Sequence, residues 1–100
     1  MSAEASSLST SEVAELRKQA GDWLRRRREA CGLSQTEFAA LVGAEYYSFI
    51  SQIENGRGRI PPHRYKAWAA ALKMEPREFI QNILEFYDPY VFEILFEDKK

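Results

Sequence analysis

Residues 32–57 read GLSQTEFAALVGAEYYSFISQIENGR, and they contain the signals of two short helices around a glycine. Ser34 and Glu37 have the spacing of a capping box, in which each side chain satisfies a backbone amide of the first turn. Gly43 then provides a C-terminal stop. The pattern predicts a first short helix over 34–43. Three residues supply its expected apolar stripe: Phe38, Leu41 and Val42.

A second helix is predicted over 45–55, ending at Asn55 and Gly56. Its apolar residues recur at i, i+3, i+4 and i+7, which places them on one face. They are Tyr46, Phe49, Ile50 and Ile53. The residues left on the outward face are Tyr47, Ser48, Ser51, Gln52 and Asn55.

The sequence before this pair predicts one longer helix. Ser9 and Glu12 form another capping box, and apolar residues at helical spacing continue to about Ala30, before Gly32. Gly21 lies inside this helix, where glycine is expected to weaken it slightly.

The sequence after the pair predicts three more helices. One follows Pro61 and Pro62, one begins at Glu75 and Pro76, and one starts at Pro89 with Asp88 as its cap. No segment shows the strict alternation of a β-strand. We therefore expect an all-α fold of about five helices with an extra C-terminal helix.

This pattern divides the chain into three parts. Residues 1–9 are expected to be a flexible N-terminal segment, since they are rich in serine. Residues 10–86 are expected to form the helical domain, and residues 87–100 a C-terminal helix.

Composition limits the classes of protein that fit. A chain of 100 residues with 45% hydrophobic content corresponds to one folded domain and not to a disordered chain. One Cys excludes an intrachain disulfide, and one Cys with one His argues against a metal site, so we expect no metal and no cofactor. Without a signal peptide or a long apolar run, a cytoplasmic protein that does not contact membranes is expected.

The net charge of −1 conceals a basic centre and an acidic end. Residues 17–66 carry ten Arg and Lys against five Asp and Glu, whereas residues 73–100 carry four against seven. A basic centre favours an anionic partner, because phosphate contacts supply much of nucleic-acid affinity.

Two short helices joined by a tight glycine turn, with polar residues outward on the second, are typical of the helix-turn-helix motif. The second helix of this motif enters the major groove of double-stranded DNA. Gln52 is the strongest candidate for base reading, because its amide can donate to and accept from adenine. We expect Tyr47, Ser48 and Ser51 to share this role. Arg57 and Arg59, in the loop that follows, are expected to contact phosphate.

The segments RRRREACGLSQTEFAALVG, residues 25–43, and FISQIENGR, residues 49–57, resemble the lambda-repressor-like, XRE-type helix-turn-helix family of bacterial and phage transcriptional regulators. By position in that family, the base-reading residues are Tyr47, Ser48 and Gln52. The resemblance also implies phosphate contacts from Gln35, Asn55 and Arg57. It further implies a structural salt bridge between Arg28 and Glu54. This chain departs from the family in having one extra residue before the first isoleucine of the second helix.

The C-terminal segment is apolar on several sides, and two arrangements of it remain open. It can pack back on the domain or pair with a second copy, and we favour pairing because an exposed apolar patch marks an interface. The predicted dimer-interface residues are Tyr87, Tyr90, Val91, Phe92, Ile94, Leu95 and Phe96.

The function expected from these features is sequence-specific binding of double-stranded DNA by a homodimeric transcriptional regulator. We expect a repressor that acts on an inverted-repeat operator, with no small-molecule ligand. The alternative is an antitoxin-like or adaptor protein that chiefly binds a protein partner. An enzyme is disfavoured, because Cys31 and His63 come with no acidic orienting residue or oxyanion feature.

Overall fold

The computed structural model of the chain describes residues 8–97, and these form six α-helices without any β-strand. The all-α prediction is therefore confirmed. The helices are α1 (Thr10–Ala30), α2 (Gln35–Val42), α3 (Tyr47–Glu54), α4 (Tyr65–Ala71), α5 (Pro76–Tyr87) and α6 (Pro89–Phe96). A short 3-10 turn, Pro62–Arg64, precedes α4. Most of the segment expected to be flexible, residues 1–7, lies outside the described residues.

Both predicted capping boxes are formed. The Ser9 hydroxyl accepts from the Glu12 amide at 3.1 Å, and the Ser9 amide donates to the Glu12 carboxylate at 2.8 Å. Ser34 and Glu37 make the same pair of bonds at 3.0 and 2.8 Å. Because two orphan amides are satisfied at each start, α1 and α2 begin where the sequence places them.

The core lies where α1, α2 and α3 meet α4 and α5. Helix α1 packs against α3 and α5, α2 against α3 and α4, and α4 against α5. The largest fully buried side chains are Trp68, Phe38, Phe79, Leu24, Ile50, Ile53, Ile60, Leu72 and Ile83. The rings of Phe38 and Trp68 meet edge to face, with centroids 4.9 Å apart. Helix α3 thus rests on a rigid platform made by the rest of the domain.

The second short helix differs from its predicted form at its start. Helix α3 begins at Tyr47, and Tyr46 is its N-cap, in extended backbone with φ −133° and ψ 142°. The Tyr46 side chain is 66% exposed, so it does not share the packed face with Phe49 and Ile50. No side chain caps this end of α3. The expectation that α3 spans 45–55 with Tyr46 inward was therefore wrong at the N-terminal end.

The apolar face of α2 is also rotated from the predicted one. Leu41 is 59% exposed, and Ala39 is buried in its place beside Phe38 and Val42. An eight-residue helix buries only a narrow stripe, and here the stripe consists of Phe38, Ala39 and Val42.

The predicted boundary between domain and C-terminal helix falls inside a helix. Helix α5 continues to Tyr87, which is buried, and α6 begins at Pro89 as predicted. The Asp88 carboxylate accepts from the Val91 amide at 3.2 Å and so caps α6. Helix α6 packs against α5.

Gly21 is the point at which the backbones of α1 and α3 approach each other. A Cβ atom at this position would lie 2.2 Å from the carbonyl oxygen of Glu54 and 2.7 Å from that of Ile53. These distances are far below van der Waals contact, and the obstacle is backbone that a rotamer change cannot move. Gly21 therefore permits the C-terminal end of α3 to lie directly on α1.

We predict that Gly21→Ala lowers the free energy of unfolding by about 2 kcal/mol, within the usual range for overpacking. This is the net change, because the steric cost of the collision exceeds the gain of about 1 kcal/mol that alanine brings over glycine in a helix interior. Urea denaturation measures it. Gln19→Ala, at an exposed position of α1, is the control and should change stability by less than about 0.5 kcal/mol. A Gly21→Ala protein as stable as the original would contradict the close approach.

Candidate DNA-binding surface

Helix α3 has one buried face and one exposed face. Ile50 and Ile53 are buried, whereas Tyr47, Ser48 and Gln52 are exposed. The fourth predicted reading residue, Ser51, is half-buried. We call the residues Tyr47, Ser48, Ser51 and Gln52 the α3 polar face. The structure brings all four onto one helix of 8 residues, as the spacing predicts.

The dimensions and chemistry of the α3 polar face suit the major groove. That groove admits one α-helix, and its base edges present both hydrogen-bond donors and acceptors. The amide of Gln52 can match a donor and an acceptor together, and the hydroxyl of Ser48 can pair with either.

A buried ion pair holds the C-terminal end of α3. Arg28 of α1 donates from Nε to Glu54 Oε2 at 2.6 Å and from Nη2 to Glu54 Oε1 at 2.9 Å. The exposed fractions of the two side chains are 8% and 4%. A bidentate contact of this kind fixes orientation as well as distance, because two parallel bonds allow one geometry.

Two further hydrogen bonds extend this ion pair into α2. Gln35 Nε2 donates to Glu54 Oε1 at 3.0 Å, and Arg28 Nη1 donates to the backbone oxygen of Leu33 at 2.7 Å. The hydrogen bond with Glu54 raises the pKa of Arg28 above its ordinary value, against the opposing effect of burial. Arg28 therefore stays charged, and the α1–α2 junction is tied to the end of α3.

The predicted phosphate residues occupy different settings. Gln35 is half-buried and donates one of its two side-chain amide hydrogens to Glu54. The second amide hydrogen remains as a donor for a phosphate. Asn55 and Arg57 are exposed directly after α3. The backbone amide of Arg57 donates to the backbone oxygen of Gln52 at 2.9 Å, and this bond folds the loop back on the end of α3.

Arg59 is directed into the domain. Its guanidinium carbon lies 4.6 Å from the ring centroid of Tyr87, and Nη2 donates to the Tyr65 hydroxyl at 3.4 Å. Tyr87 in turn accepts from the Ile60 amide at 3.1 Å, and burial raises the pKa of Tyr87 to about 12. Arg59 thus packs on Tyr87, and its expected phosphate contact stays a prediction.

The predicted dimer-interface residues fall into three groups. Tyr87 is buried in the domain core, so its assignment to an exposed pairing surface was wrong. Phe92 and Phe96 are half-buried, with ring centroids 5.8 Å apart. The remaining four are exposed, and we call them the α6 apolar face: Tyr90, Val91, Ile94 and Leu95.

Cys31 and His63 lie on different elements of the fold. Cys31 Sγ donates to the Leu72 oxygen at 3.5 Å, and His63 lies exposed in the 3-10 turn. Within residues 8–97, no three His, Cys, Asp or Glu side chains are grouped to hold a metal ion. No helix in that same range is both long and apolar enough to cross a membrane.

Comparison with known proteins is consistent with this geometry. The sequence model of the helix-turn-helix family matches residues 24–79, which is more than half of the chain. The crystal structure of the restriction-modification controller protein C.AhdI from Aeromonas hydrophila is similar to this chain, with a TM-score of 0.59 and 35% sequence identity. The match covers 68% of this chain and 96% of C.AhdI. No curated protein matches the chain.

We predict that Arg28→Ala lowers the free energy of unfolding by about 3–5 kcal/mol, because it leaves the buried Glu54 carboxylate without its cation. Thermal and urea denaturation measure the loss. Arg26→Ala is the matched control, since Arg26 pairs with Asp22 at an exposed site, and it should cost at most about 1 kcal/mol. Replacing both partners, Arg28→Met with Glu54→Leu, should recover most of the stability. An unchanged melt for Arg28→Ala would contradict the role of the pair.

Proposed function

The chain belongs to the helix-turn-helix family and is a DNA-binding transcriptional regulator, and we propose that it acts as a homodimer that represses transcription from an inverted-repeat operator. The observation that carries this proposal is the exposed α3 polar face on a helix whose reverse face is buried. A surface of this kind is available to a duplex without any rearrangement of the domain.

In the proposed complex α3 lies in the major groove. Gln52 and Ser48, which are exposed, read base edges most directly. The ring of Tyr47, 58% exposed at the start of α3, is placed to contact a thymine methyl or the sugar edge. Ser51 is half-buried, so only a base edge that comes close to α3 can reach its hydroxyl.

The proposed phosphate contacts gather near the C-terminal end of α3. Gln35 at the start of α2 supplies its free amide hydrogen, and Asn55 and Arg57 supply donors after α3. These contacts fix the register of the helix on the duplex, whereas the α3 polar face supplies sequence information.

The α6 apolar face supports dimerisation. Ile94 and Leu95 are 78% and 57% exposed, which is costly for large aliphatic side chains on a domain of this size. Two copies joined through α6 would have to place their α3 helices about 34 Å apart to meet successive major grooves. A twofold dimer of this kind recognises an inverted repeat.

Repression is the simplest regulatory outcome of such binding. Occupying a promoter requires a DNA-binding surface and a dimer contact, and the α3 polar face and the α6 apolar face are the surfaces proposed for these two roles. The likeness to C.AhdI, a restriction-modification controller protein, supports a regulatory role.

An alternative partner for the α6 apolar face is a different protein, as in an antitoxin-like or adaptor protein. The same exposure of Ile94 and Leu95 favours it. Light scattering after size-exclusion chromatography separates the two proposals. A dimer at moderate concentration supports pairing with a second copy, whereas a monomer at high concentration supports a heteropartner.

Selection of bound duplexes from a random pool, at a stated salt concentration, tests the proposed function. The expected product is an inverted repeat whose half-site centres lie about 10 base pairs apart. Failure to enrich any sequence would contradict sequence-specific binding, and enrichment of single half-sites would contradict the dimer.

We predict that Gln52→Ala weakens binding to the selected duplex by about 1–3 kcal/mol and leaves nonspecific affinity unchanged. Arg57→Ala should instead weaken binding to all duplexes and reduce the salt slope by about one. Titration of both variants against specific and unrelated duplexes at several salt concentrations measures this contrast. If both variants lose affinity equally for every duplex, the base-reading assignment of Gln52 is wrong.

A further inference from the structure

Arg64 connects the start of α4 to the turn between α2 and α3. It is the last residue of the 3-10 turn Pro62–Arg64, 21 or 22 residues away in sequence from the groups it contacts. Its Nη1 donates to the backbone oxygen of Val42 at 3.1 Å and lies 3.4 Å from that of Gly43. The guanidinium thus contacts the glycine turn of the helix-turn-helix motif itself.

Val42 is the last residue of α2 and Gly43 is its C-cap, so both carbonyls lie at the end of the helix where backbone oxygens lack intrahelical partners. The last carbonyls of a helix carry partial negative charge and are stabilised by a nearby cation. Helix α2 has no basic residue in its own last turn. Arg64, supplied by a later segment of the chain, provides the cation and the donor in its place.

The start of α3 is held by fewer side-chain hydrogen bonds than its end. Tyr46, its N-cap, makes no side-chain capping bond, whereas Glu54 at the other end is held by the ion pair with Arg28. An open cleft of 370 Å³ lies beside this start, lined by Ala44, Glu45, Tyr46, Phe49, Pro61, His63 and Arg64. Arg64 therefore lies in the wall of this cleft while its guanidinium bonds the turn that leads into α3.

We propose that Arg64 is a positioning residue that sets the direction in which α3 leaves the turn, and that it thereby determines which bases the α3 polar face reaches. This inference rests on the proposed reading of DNA by α3. Arg64 acts through the backbone of Val42 and Gly43 and does not contact the duplex.

The competing role for an arginine at this place is a direct phosphate contact. The two roles differ in salt dependence. Loss of a phosphate contact reduces the salt slope by about one and weakens all duplexes alike. Loss of a positioning contact leaves the slope unchanged and lowers the ratio of specific to nonspecific affinity.

The first arm of the test uses the free protein. Arg64→Met retains the length of the side chain and removes its charge and donors. Hydrogen exchange at the Ala44 amide, which donates to the Ala39 oxygen at 2.9 Å, reports opening of the turn. We expect exchange there to become faster on the order of tenfold, which corresponds to about 1.4 kcal/mol of local stability. Amides of the α5 core, such as Ile83, should be unchanged. Unchanged exchange at Ala44 would overturn the proposal.

The second arm uses the selected duplex and an unrelated duplex. Arg64→Met should lose affinity for the selected duplex alone, with an unchanged salt slope. Arg64→Lys, which keeps a charged donor, should fall between the original protein and Arg64→Met. Arg26→Met, a loss of charge at an exposed position of α1, is the control and should match the original. A salt slope reduced by about one would overturn the proposal in favour of phosphate contact.

The two arms separate this inference from the proposed function. If the original protein shows no preference among duplexes, the proposed function fails, while the exchange of Ala44 still tests whether Arg64 holds the turn. If Arg64→Met does not fold, the comparison of Arg64→Lys with the original carries both arms, and equal exchange with equal specificity would overturn the proposal.

Discussion

The carboxylate of Glu54 joins three helices. It accepts two hydrogen bonds from Arg28 on α1 and one from Gln35 on α2, and it belongs to the last turn of α3. Both charges are buried, so removing either Arg28 or Glu54 would leave the other as an unpaired charge in the low-dielectric interior. Its backbone contributes as well, because the oxygen of Glu54 lies over Gly21, where any side chain would collide. One residue thus fixes where α3 ends and how closely it lies on α1.

This constraint explains how a small domain presents a helix to a duplex. With its C-terminal end fixed and Ile50 and Ile53 buried, α3 keeps its polar face outward without help from a ligand. Preorganisation of this kind reduces the conformational cost of binding. The loop after α3 is anchored separately, because Tyr87 accepts from the Ile60 amide and Arg59 lies on its ring. The α6 apolar face begins immediately beyond Tyr87, outside the residues matched by the family.

Local signals made most of the fold predictable. The capping boxes at Ser9 and Ser34 set the helix starts, and Gly43 marked the turn, because these features act within a few residues of sequence. Among features that depend on distant partners, the ion pair of Arg28 with Glu54 was expected only from the family resemblance, and others were missed. The residues next to Gly21 in the sequence do not indicate that α3 packs against it. Likewise, the residues around Arg59 do not indicate its contact with the ring of Tyr87. The same holds for the burial of Tyr87 and for the contact of Arg64 with the turn, which only the folded chain brings together.

The candidate site was predictable for the same reason that α3 was, since its polar face follows from helical spacing. NMR of the labelled protein, titrated with its selected duplex, distinguishes a preformed α3 from one that DNA orders. We expect shifts at the amides of Tyr47 to Gln52 and of Arg57, while the Arg28 Nε–H signal, bonded to Glu54, stays protected in both states. Shifts confined to α6, or loss of that signal on binding, would contradict a preformed α3 that is held by Glu54.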